Sequence, residues 1–170
     1  IGNYTVTVTD ACTATINGSI AIDEPAIMST SVTGQNVSCN GNSDGTADLT
    51  TSDGTPPYTY LWSTTETTED ISGLIAATYS VTVSDACLGS TFDMVVITEP
   101  LSLTSIISTT DVTCNGGGDG TATVTASGGT PPYNYLWNNG QGTSTAIGLF
   151  PGNYSVNITD VNGCLTSNLI

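Results

Sequence analysis

The sequence predicts an all-β protein of tandem immunoglobulin-like β-sandwich modules stacked head to tail, and three observations support this prediction. The octapeptide Thr55–Trp62 recurs 75 positions later as Thr130–Trp137. Apolar and polar residues alternate along short segments separated by Gly, Asn and Asp clusters, which is typical of half-buried strands. No segment shows the 3.6-residue period of an amphipathic helix. Because a fixed period of this length indicates an array of like modules, we expect about seven short strands in each repeat.

Each octapeptide is expected to form the strand at the centre of its module. The Pro pair after Thr55 cannot donate backbone hydrogen bonds and holds the chain extended, so a strand starts after it. Tyr58, Tyr60 and Trp62 then alternate onto one face. The chain has two Trp residues, Trp62 and Trp137, one in each copy. We therefore expect each Trp to be a central core residue, with a stacking platform for a sugar or base as the alternative.

The 75-residue period divides the chain into three parts. Residues 1–25 are interpreted as the C-terminal hairpin of a truncated module, 26–100 as module one, and 101–170 as module two with its last strand incomplete. The repeated dipeptides Glu24–Pro25 and Glu99–Pro100 form the junctions. Connections this short imply modules that touch, and we interpret the chain as part of a longer array.

The elements of module one follow in order. A strand over 27–37 leads to a turn of small polar residues, and a strand over 46–51 precedes the octapeptide. The polar stretch 63–70 is expected to be a loop or an exposed edge strand. A further strand opens at Tyr79, and a last strand closes the module. Tyr79 and its repeat Tyr154 occupy the place of the tyrosine corner of immunoglobulin-like domains.

The charge of the chain limits its partners. There are no Lys, Arg or His residues, and 15 acids give a formal charge of −15. Nucleic acid is excluded, because phosphate binding depends on Lys and Arg. Docking to an anionic membrane is excluded for the same reason. No apolar run reaches the ~18 residues of a membrane span, so we expect no membrane insertion.

Five cysteines at repeating positions indicate an oxidising, extracellular setting. Cys39 and Cys114 precede the second strand, whereas Cys12, Cys87 and Cys164 lie in or beside the final hairpin turn, at the opposite pole. A within-module pair would span about 25 Å, but bridged Cα atoms lie within ~7 Å. Head-to-tail stacking would instead bring Cys39 beside Cys164, and Cys12, Cys87 and Cys114 would then pair with cysteines of modules beyond this sequence. The within-module pairs Cys39–Cys87 and Cys114–Cys164, and free or interchain thiols, remain open alternatives.

The position of Cys164 departs from the 75-residue period. It lies two residues beyond the place that the period assigns to it. We interpret this shift as a turn that is two residues longer than the corresponding turns of the earlier copies.

The Gly-rich loops after Cys39 and Cys114 are candidate calcium sites. Their oxygen ligands would be Asn40 and Asp44 in the first loop and Asn115 and Asp119 in the second. Hard oxygen donors on a flexible turn suit Ca²⁺. Each loop has one carboxylate and a tight site needs more, so the sequence favours plain turns, with calcium as the alternative.

Catalysis is not expected. Without His or Lys, the chain has no ordinary general base for a Ser or Cys nucleophile. The repeated acids lie in predicted turns and junctions, where Asp stabilises the turn by bonding to the backbone. We expect no catalytic residues and no organic cofactor.

The hydroxyl-rich surface is a candidate carrier of glycans, with the suitability of Thr for the solvent face of strands as the alternative explanation. Ser and Thr make up 50 of the 170 residues. Sugars on outward-facing hydroxyls would give this surface, which has few charges, a means of staying soluble. Five Asn residues open Asn-x-Ser/Thr sequons: Asn3, Asn17, Asn36, Asn153 and Asn157.

Four linked motifs carry a resemblance to a known family. They are Val112–Gly117, Gly129–Trp137, Gly152–Val156 and Asp160–Cys164. In combination they resemble the SprB-type repeat, which occurs in tandem in very large surface adhesins of gliding bacteria exported by type IX secretion. The family is related to PKD-like immunoglobulin sandwiches. Module one departs from the pattern at Ser84–Cys87, which lacks the Asn-Gly turn.

The resemblance implies a cell-surface location, a β-sandwich fold and a role in adhesion or in an extended fibre. It implies no catalytic residue. We therefore predict a structural, adhesive rod or fibre, whose partners are neighbouring repeats of the same chain, with lateral self-association and surface glycans as further partners. The rival prediction is a carbohydrate-binding module that uses Tyr and Trp rings. Burial of the two Trp side chains discriminates between these predictions.

Overall fold

A computed structural model describes residues 1–170 and is entirely β-structured. The chain contains no helix, and therefore none that could span a membrane. The strands are β1 (Gly2–Thr9), β2 (Thr15–Ile22), β3 (Ser29–Gln35), β4 (Gly45–Ser52), β5 (Thr59–Trp62), β6 (Ile71–Leu74), β7 (Ala77–Ser84), β8 (Ser90–Ile97), β9 (Thr104–Thr110), β10 (Gly120–Ser127), β11 (Asn134–Trp137), β12 (Thr145–Leu149), β13 (Ser155–Thr159) and β14 (Leu165–Leu169).

The strands form five small antiparallel sheets. One is the hairpin β1-β2, and the others have the orders β3-β4-β6, β5-β7-β8, β12-β10-β9 and β11-β13-β14. The pair of sheets formed by β3 to β8 has the same topology as the pair formed by β9 to β14, as the 75-residue period requires. The all-β fold class is therefore confirmed.

Each repeat has six strands rather than about seven. The predicted loop or edge strand over 63–70 is a series of exposed turns. This segment has no apolar residue that a strand could bury, so pairing it with a sheet would gain little.

The chain divides into two compact units. The first comprises Ile1–Val32, Leu49–Glu69 and Ser80–Asp93, and the second comprises Thr33–Asp48, Asp70–Tyr79 and Met94–Ile170. The boundaries predicted from the repeat, after residues 25 and 100, stay a prediction.

The second unit contains a β-sandwich whose core is centred on Trp137. Sheets β12-β10-β9 and β11-β13-β14 supply its buried residues, which are Ala122, Val124, Trp137, Ala146, Leu149, Val156 and Ile158. The Trp137 side chain is 1% exposed, and its indole N–H donates to the carbonyl of Thr143 at 2.9 Å. A buried indole needs such an acceptor, so this contact makes complete burial of Trp137 favourable.

The first unit buries the equivalent Trp62. This side chain is 2% exposed and donates to the carbonyl of Thr68 at 3.0 Å. Tyr58 and Tyr60 are half-buried, whereas Leu61 is exposed, so the predicted alternation along the octapeptide is confirmed. Since both Trp rings are enclosed, the alternative in which they form a stacking platform is wrong.

The tyrosine corners occur where the sequence predicted them. The Tyr79 hydroxyl donates to the carbonyl of Ile75 at 3.0 Å, and the Tyr154 hydroxyl donates to that of Phe150 at 3.1 Å. Each bond joins the start of a hairpin strand to the backbone four residues earlier. The hairpins that begin here carry the turns described below.

The hairpin β1-β2 has the sequence of a core hairpin but is exposed throughout. Tyr4 pairs with Ile20 and Val8 pairs with Ile16, so the apolar side chains share one face. The equivalents of Val6 and Val8 in β7, Val81 and Val83, are buried. The exposed apolar residues of the hairpin are Tyr4, Val6, Val8, Ile16, Ile20 and Ile22.

Candidate functional site: the Cys39–Cys164 disulfide and its polar contacts

A disulfide joins Cys39 to Cys164 within the second unit. The two Cα atoms lie 5.7 Å apart, and 125 residues separate the cysteines in sequence. This is the pairing that the topology argument preferred. The within-module pairs are absent, because Cys87 and Cys114 are free and exposed, as is Cys12.

Cys164 ends a five-residue turn that is organised by Asp160. The Asp160 N–H donates to the carbonyl of Cys164 at 3.0 Å and closes the turn. Its Oδ1 accepts from the N–H groups of Asn162 and Cys164, each at 2.9 Å. Its Oδ2 accepts from the N–H of Thr130 at 2.7 Å, which ties the turn to the segment before the octapeptide strand. The half-cystine is therefore held by a fixed backbone.

Asp160 is a buried carboxylate, 2% exposed. Burial raises its pKa, but the backbone hydrogen bonds from Thr130, Cys164 and Asn162 lower the pKa by more, and the net shift is downward. The N–H donors stabilise the charged form, so the carboxylate remains ionised without a cation nearby.

Gly129 is required where the Asp160 carboxylate approaches the backbone. Its φ is +59°, a conformation that L side chains rarely adopt. A Cβ at this position would lie 2.8 Å from Asp160 Oδ2. Glycine therefore permits both the bend and the close approach.

The loop that carries Cys39 is held to the segment 98–102. Asn40 Nδ2 donates to the carbonyl of Pro100 at 3.1 Å, and Asn40 Oδ1 accepts from the Ser102 hydroxyl at 3.1 Å. The Gly41 N–H donates to Glu99 Oε2 at 2.6 Å. Both parts of the repeated Glu-Pro dipeptide therefore accept hydrogen bonds from this loop.

Asn162 makes a second connection beside the disulfide. Its Nδ2 donates to the carbonyl of Ser38 at 3.0 Å and to the hydroxyl of Thr130 at 3.2 Å. The amide thus bonds to the residue that precedes Cys39. A covalent bond and a polar contact hold the Cys39 loop and the Asp160 turn together.

The acids proposed as calcium ligands bond within their own loops. Asp44 accepts hydrogen bonds from the N–H and the hydroxyl of Ser38, and Asp119 accepts the same two bonds from Thr113. In each case the side-chain hydrogen bond is the main cause that lowers the pKa of the carboxyl.

The predicted calcium ligands of the first loop therefore bond to different groups, Asn40 to Pro100 and Ser102 and Asp44 to Ser38. No group of three or more acids or cysteines is arranged to hold a metal ion. Calcium binding stays a prediction.

The turn at Asp160 is not longer than its equivalents, so the expectation of two extra residues is wrong. The Asp10 N–H bonds to the carbonyl of Ala14, and the Asp85 N–H bonds to that of Gly89, as Asp160 does to Cys164. All three turns have five residues. The cysteine has moved from the third position of the turn to the fifth.

Sequence reasoning missed this shift because it aligned the cysteines rather than the acids. The 75-residue spacing of the three turn aspartates was the available signal, since each Asp fixes the turn around it. The same alignment places Asn162 at the position of Cys12 and Cys87, which identifies its contact with Ser38 as a feature of the last turn alone.

The five predicted sequon residues lie on the surface. Asn36 Oδ1 accepts a hydrogen bond from the Thr98 N–H at 2.9 Å, and Asn17 Oδ1 accepts one from Thr7 at 2.6 Å. The exposed sequon residues are Asn3, Asn17, Asn36, Asn153 and Asn157. Their glycosylation stays a prediction.

Two stretches of the chain, residues 31–67 and 106–142, match the family model of the SprB repeat. The matches are offset by the same 75 residues as the octapeptides, and each contains one octapeptide. The chain therefore carries tandem SprB-type repeats, and the resemblance noted in the sequence is confirmed. No curated protein matches the chain.

The repeat and the fold together indicate a class of protein. Tandem SprB repeats indicate a surface adhesin-type repeat protein, and the all-β repeat fold indicates a structural, non-catalytic one. The repeat and the disulfide together indicate an extracellular location.

Proposed function

We propose that these tandem SprB repeats form part of an adhesive fibre on the surface of a gliding bacterium, in which disulfides join each repeat to the next. The chain would bear load and present a hydroxyl-rich surface to its surroundings. It would contribute no catalysis.

The observation that carries this proposal is the placement of the disulfide. Cys39 lies in the first stretch that matches the repeat, and Cys164 lies beyond the second. A cross-link between two repeats resists their separation, whereas a cross-link within one repeat would stabilise only that domain. Long-range connection is a requirement of a load-bearing array rather than of an isolated binding module.

The surface chemistry supports the adhesive part of the proposal. Ser and Thr residues occupy alternating positions of the strands, and hydroxyl pairs such as Thr123–Thr145 and Thr104–Ser127 lie across neighbouring strands. With no cations and 15 acids, copies of the chain repel one another, and physiological salt limits this repulsion to a range of about 8 Å. Sugars on some exposed hydroxyls or sequons would complete such a surface, and an intact mass equal to that of the bare polypeptide would contradict this glycosylation.

Load bearing is tested by stretching single molecules. With the disulfide closed, the 125-residue interval between Cys39 and Cys164 should stay out of reach of the applied force. Reduction should then lengthen the fully extended chain by roughly 440 Å, at about 3.5 Å per residue. Equal contour lengths before and after reduction would contradict a load-bearing cross-link.

Adhesion is tested with beads coated with the whole protein. They should remain attached under flow to at least one of three surfaces, clean glass, an alkyl-coated surface and a glycan-coated surface, longer than albumin-coated beads. Retention on none of them would overturn the adhesive role. Retention on the glycan surface alone, removed by free glycan, would favour the rival carbohydrate-binding function through aromatics other than the two buried Trp side chains.

A further inference from the structure

The interface around the disulfide has two halves, and the chain contains a second example of each. The formed interface joins the Cys39 loop (residues 38–41) to the Asp160 turn (residues 160–164). The period of 75 residues places a like loop at 113–116, the Cys114 loop, and a like turn at 85–89, the Asp85 turn. Cys114 and Cys87, the thiols of these two halves, are exposed and free.

The Cys114 loop has the same internal structure as its bonded counterpart. Asp119 accepts from the Thr113 N–H at 3.0 Å, as Asp44 accepts from Ser38 at 3.0 Å. The Gly117 N–H donates to the carbonyl of Cys114 at 2.8 Å, which repeats the turn that follows Cys39. The loop is therefore preformed, and Asn115, which corresponds to Asn40, is exposed and has no hydrogen-bond partner in the chain.

The Asp85 turn likewise has the structure of the bonded turn. Asp85 Oδ2 accepts from the Thr55 N–H at 3.0 Å, and Oδ1 accepts from the N–H groups of Cys87 at 3.0 Å and Gly89 at 2.7 Å. The Ala86 N–H returns a bond to the carbonyl of Thr55 at 2.9 Å. Each of these bonds has its equivalent around Asp160.

The two turns differ in where the thiol lies. Cys87 occupies the third position, which Asn162 occupies in the bonded turn, and Gly89 occupies the position of Cys164. In the formed interface the side chain at the third position lies 3.0 Å from the carbonyl of Ser38, the residue before the half-cystine. A thiol at that position faces the same stretch of the opposing loop.

We propose that two copies of this chain associate through the Cys114 loop of one and the Asp85 turn of the other, and that an interchain Cys87–Cys114 disulfide forms there. Each copy has one half of each kind, so the contact is heterologous and joins copies head to tail into open chains or rings rather than into isologous dimers. The inference deepens the proposed fibre, because it identifies a means by which the chain extends itself.

The covalent step needs a disulfide oxidant, and oxidised glutathione serves. The Cys87 thiolate attacks one sulfur of glutathione disulfide and releases a glutathione thiolate. The Cys114 thiolate of the second copy then attacks the Cys87 sulfur of the mixed disulfide and releases the second glutathione. Two protein thiols and one glutathione disulfide give one interchain disulfide and two glutathione molecules.

Cys12 provides a matched control within the chain. It occupies the third position of the Asp10 turn, within the same Asp-Ala-Cys sequence, and it is also exposed and free. Asp10 bonds to the backbone of Cys12 and Ala14, but it receives no N–H from a segment equivalent to that of Thr55. A general reactivity of exposed thiols would involve Cys12 and Cys87 equally, whereas docking of the Cys114 loop requires the complete turn.

The experiment incubates the whole protein, with its Cys39–Cys164 bond intact, in oxidised and reduced glutathione. We expect a ladder of multimers on non-reducing gels and a Cys87–Cys114 peptide by mass spectrometry. The variants Cys87→Ser and Cys114→Ser should remove the ladder, whereas Cys12→Ser should leave it. Persistent monomer, or Cys12–Cys114 and Cys114–Cys114 links in yields equal to Cys87–Cys114, would overturn the inference.

A second variant separates docking from thiol reactivity. Asn40, the counterpart of Asn115, donates to the carbonyl of Pro100, which the 75-residue period places at Pro25 of the copy that supplies the Asp85 turn. Asn115→Ala removes this amide and should slow multimer formation several-fold. Its thiols should react with an aromatic disulfide reagent at the unchanged rate. An unchanged rate of multimer formation would show that no docked complex precedes the disulfide. Since these measurements follow connectivity and mass, their failure would leave the adhesion tests unaffected.

Discussion

The Asp85 turn and the Asp160 turn share one backbone structure but differ in burial and in whether their cysteine forms a disulfide. Both are five-residue turns closed by one hydrogen bond, and both bind the segment before the octapeptide strand through Asp Oδ2. Asp160 is buried and its turn carries a half-cystine, whereas Asp85 is half-buried and its turn carries a free thiol. The same backbone framework thus occurs twice in one chain, once with a disulfide and once without. The two turns also differ in the position of the cysteine, which is the third residue in one and the fifth in the other.

The exposed turn at Asp10 extends the comparison. There the carboxylate is exposed and bonds only to its own turn. From Asp10 to Asp85 the carboxylate gains one donor, the N–H of Thr55, and from Asp85 to Asp160 the same three hydrogen bonds become buried. The aspartate itself therefore specifies the turn, and the contacts around it determine how much the turn contributes to stability.

The largest effect is expected from removing the disulfide. The double variant Cys39→Ser, Cys164→Ser should lower the free energy of unfolding by about 4–5 kcal/mol, because an unfolded chain without the cross-link gains the entropy of a long open loop. Chemical denaturation followed by Trp fluorescence measures this change. Cys114→Ser, which alters the equivalent but unbonded loop, is the control and should stay within about 0.5 kcal/mol of the parent. Similar losses in both variants would contradict the comparison.

The all-β class, the alternation around Trp62 and Trp137 and the two tyrosine corners could be predicted from the sequence. These features are local, because a period-2 pattern or a Tyr at the start of a strand specifies its own surroundings. Strand direction, which is a property of the whole topology, made the Cys39–Cys164 pairing the preferred one among the alternatives that the sequence left open.

The contacts that hold the interface could not be predicted in the same way. The bonds of Asn162 to Ser38 and of Glu99 to Gly41 join residues that are far apart in sequence, and no periodicity specifies them. The expected extra residues of the last turn were wrong for a related reason. A cysteine can change position within a turn whose geometry is set by another residue.

The second-largest effect is expected from replacing the aspartates that organise the turns. Asp160→Asn replaces Oδ2 by an N–H₂ group that would face the Thr130 N–H, leaving that buried donor without an acceptor. The free energy of unfolding should fall by about 1–3 kcal/mol. Asp85→Asn should cost less, since its turn is partly hydrated, and Asp10→Asn should cost least. Thermal unfolding of the three variants measures the order, and an equal loss in all three would show that the added contacts do not contribute.

A smaller effect is expected from acid. Hydrogen bonds hold the pKa values of Asp44, Asp85, Asp119 and Asp160 below their ordinary range. A lowered folded-state pKa stabilises the fold above the unfolded value, about 3.9, and this contribution disappears as the pH falls through the folded values. Stability should therefore be level from pH 7 to about pH 5 and decrease below it. In Asp160→Asn, the decrease of the free energy of unfolding with falling pH should be less steep, by up to about one bound proton. A pH dependence identical to that of the parent would contradict the lowered pKa of Asp160.

The smallest effect is expected from removing calcium, and it distinguishes the Cys39 loop from the Cys114 loop. Asp44 and Asp119 already accept two hydrogen bonds each from Ser38 and Thr113, so a cation would have to compete with bonds that the loops make without it. Treatment of the protein with a chelator should therefore change the midpoint of thermal unfolding by less than about 1 °C. The disulfide constrains the Cys39 loop in either case, so if calcium does bind, the Cys114 loop should respond more. Addition of calcium to the chelated protein and to Asp119→Asn provides the control: a rise in midpoint that the variant lacks would establish Asp119 as a ligand and contradict the plain-turn interpretation.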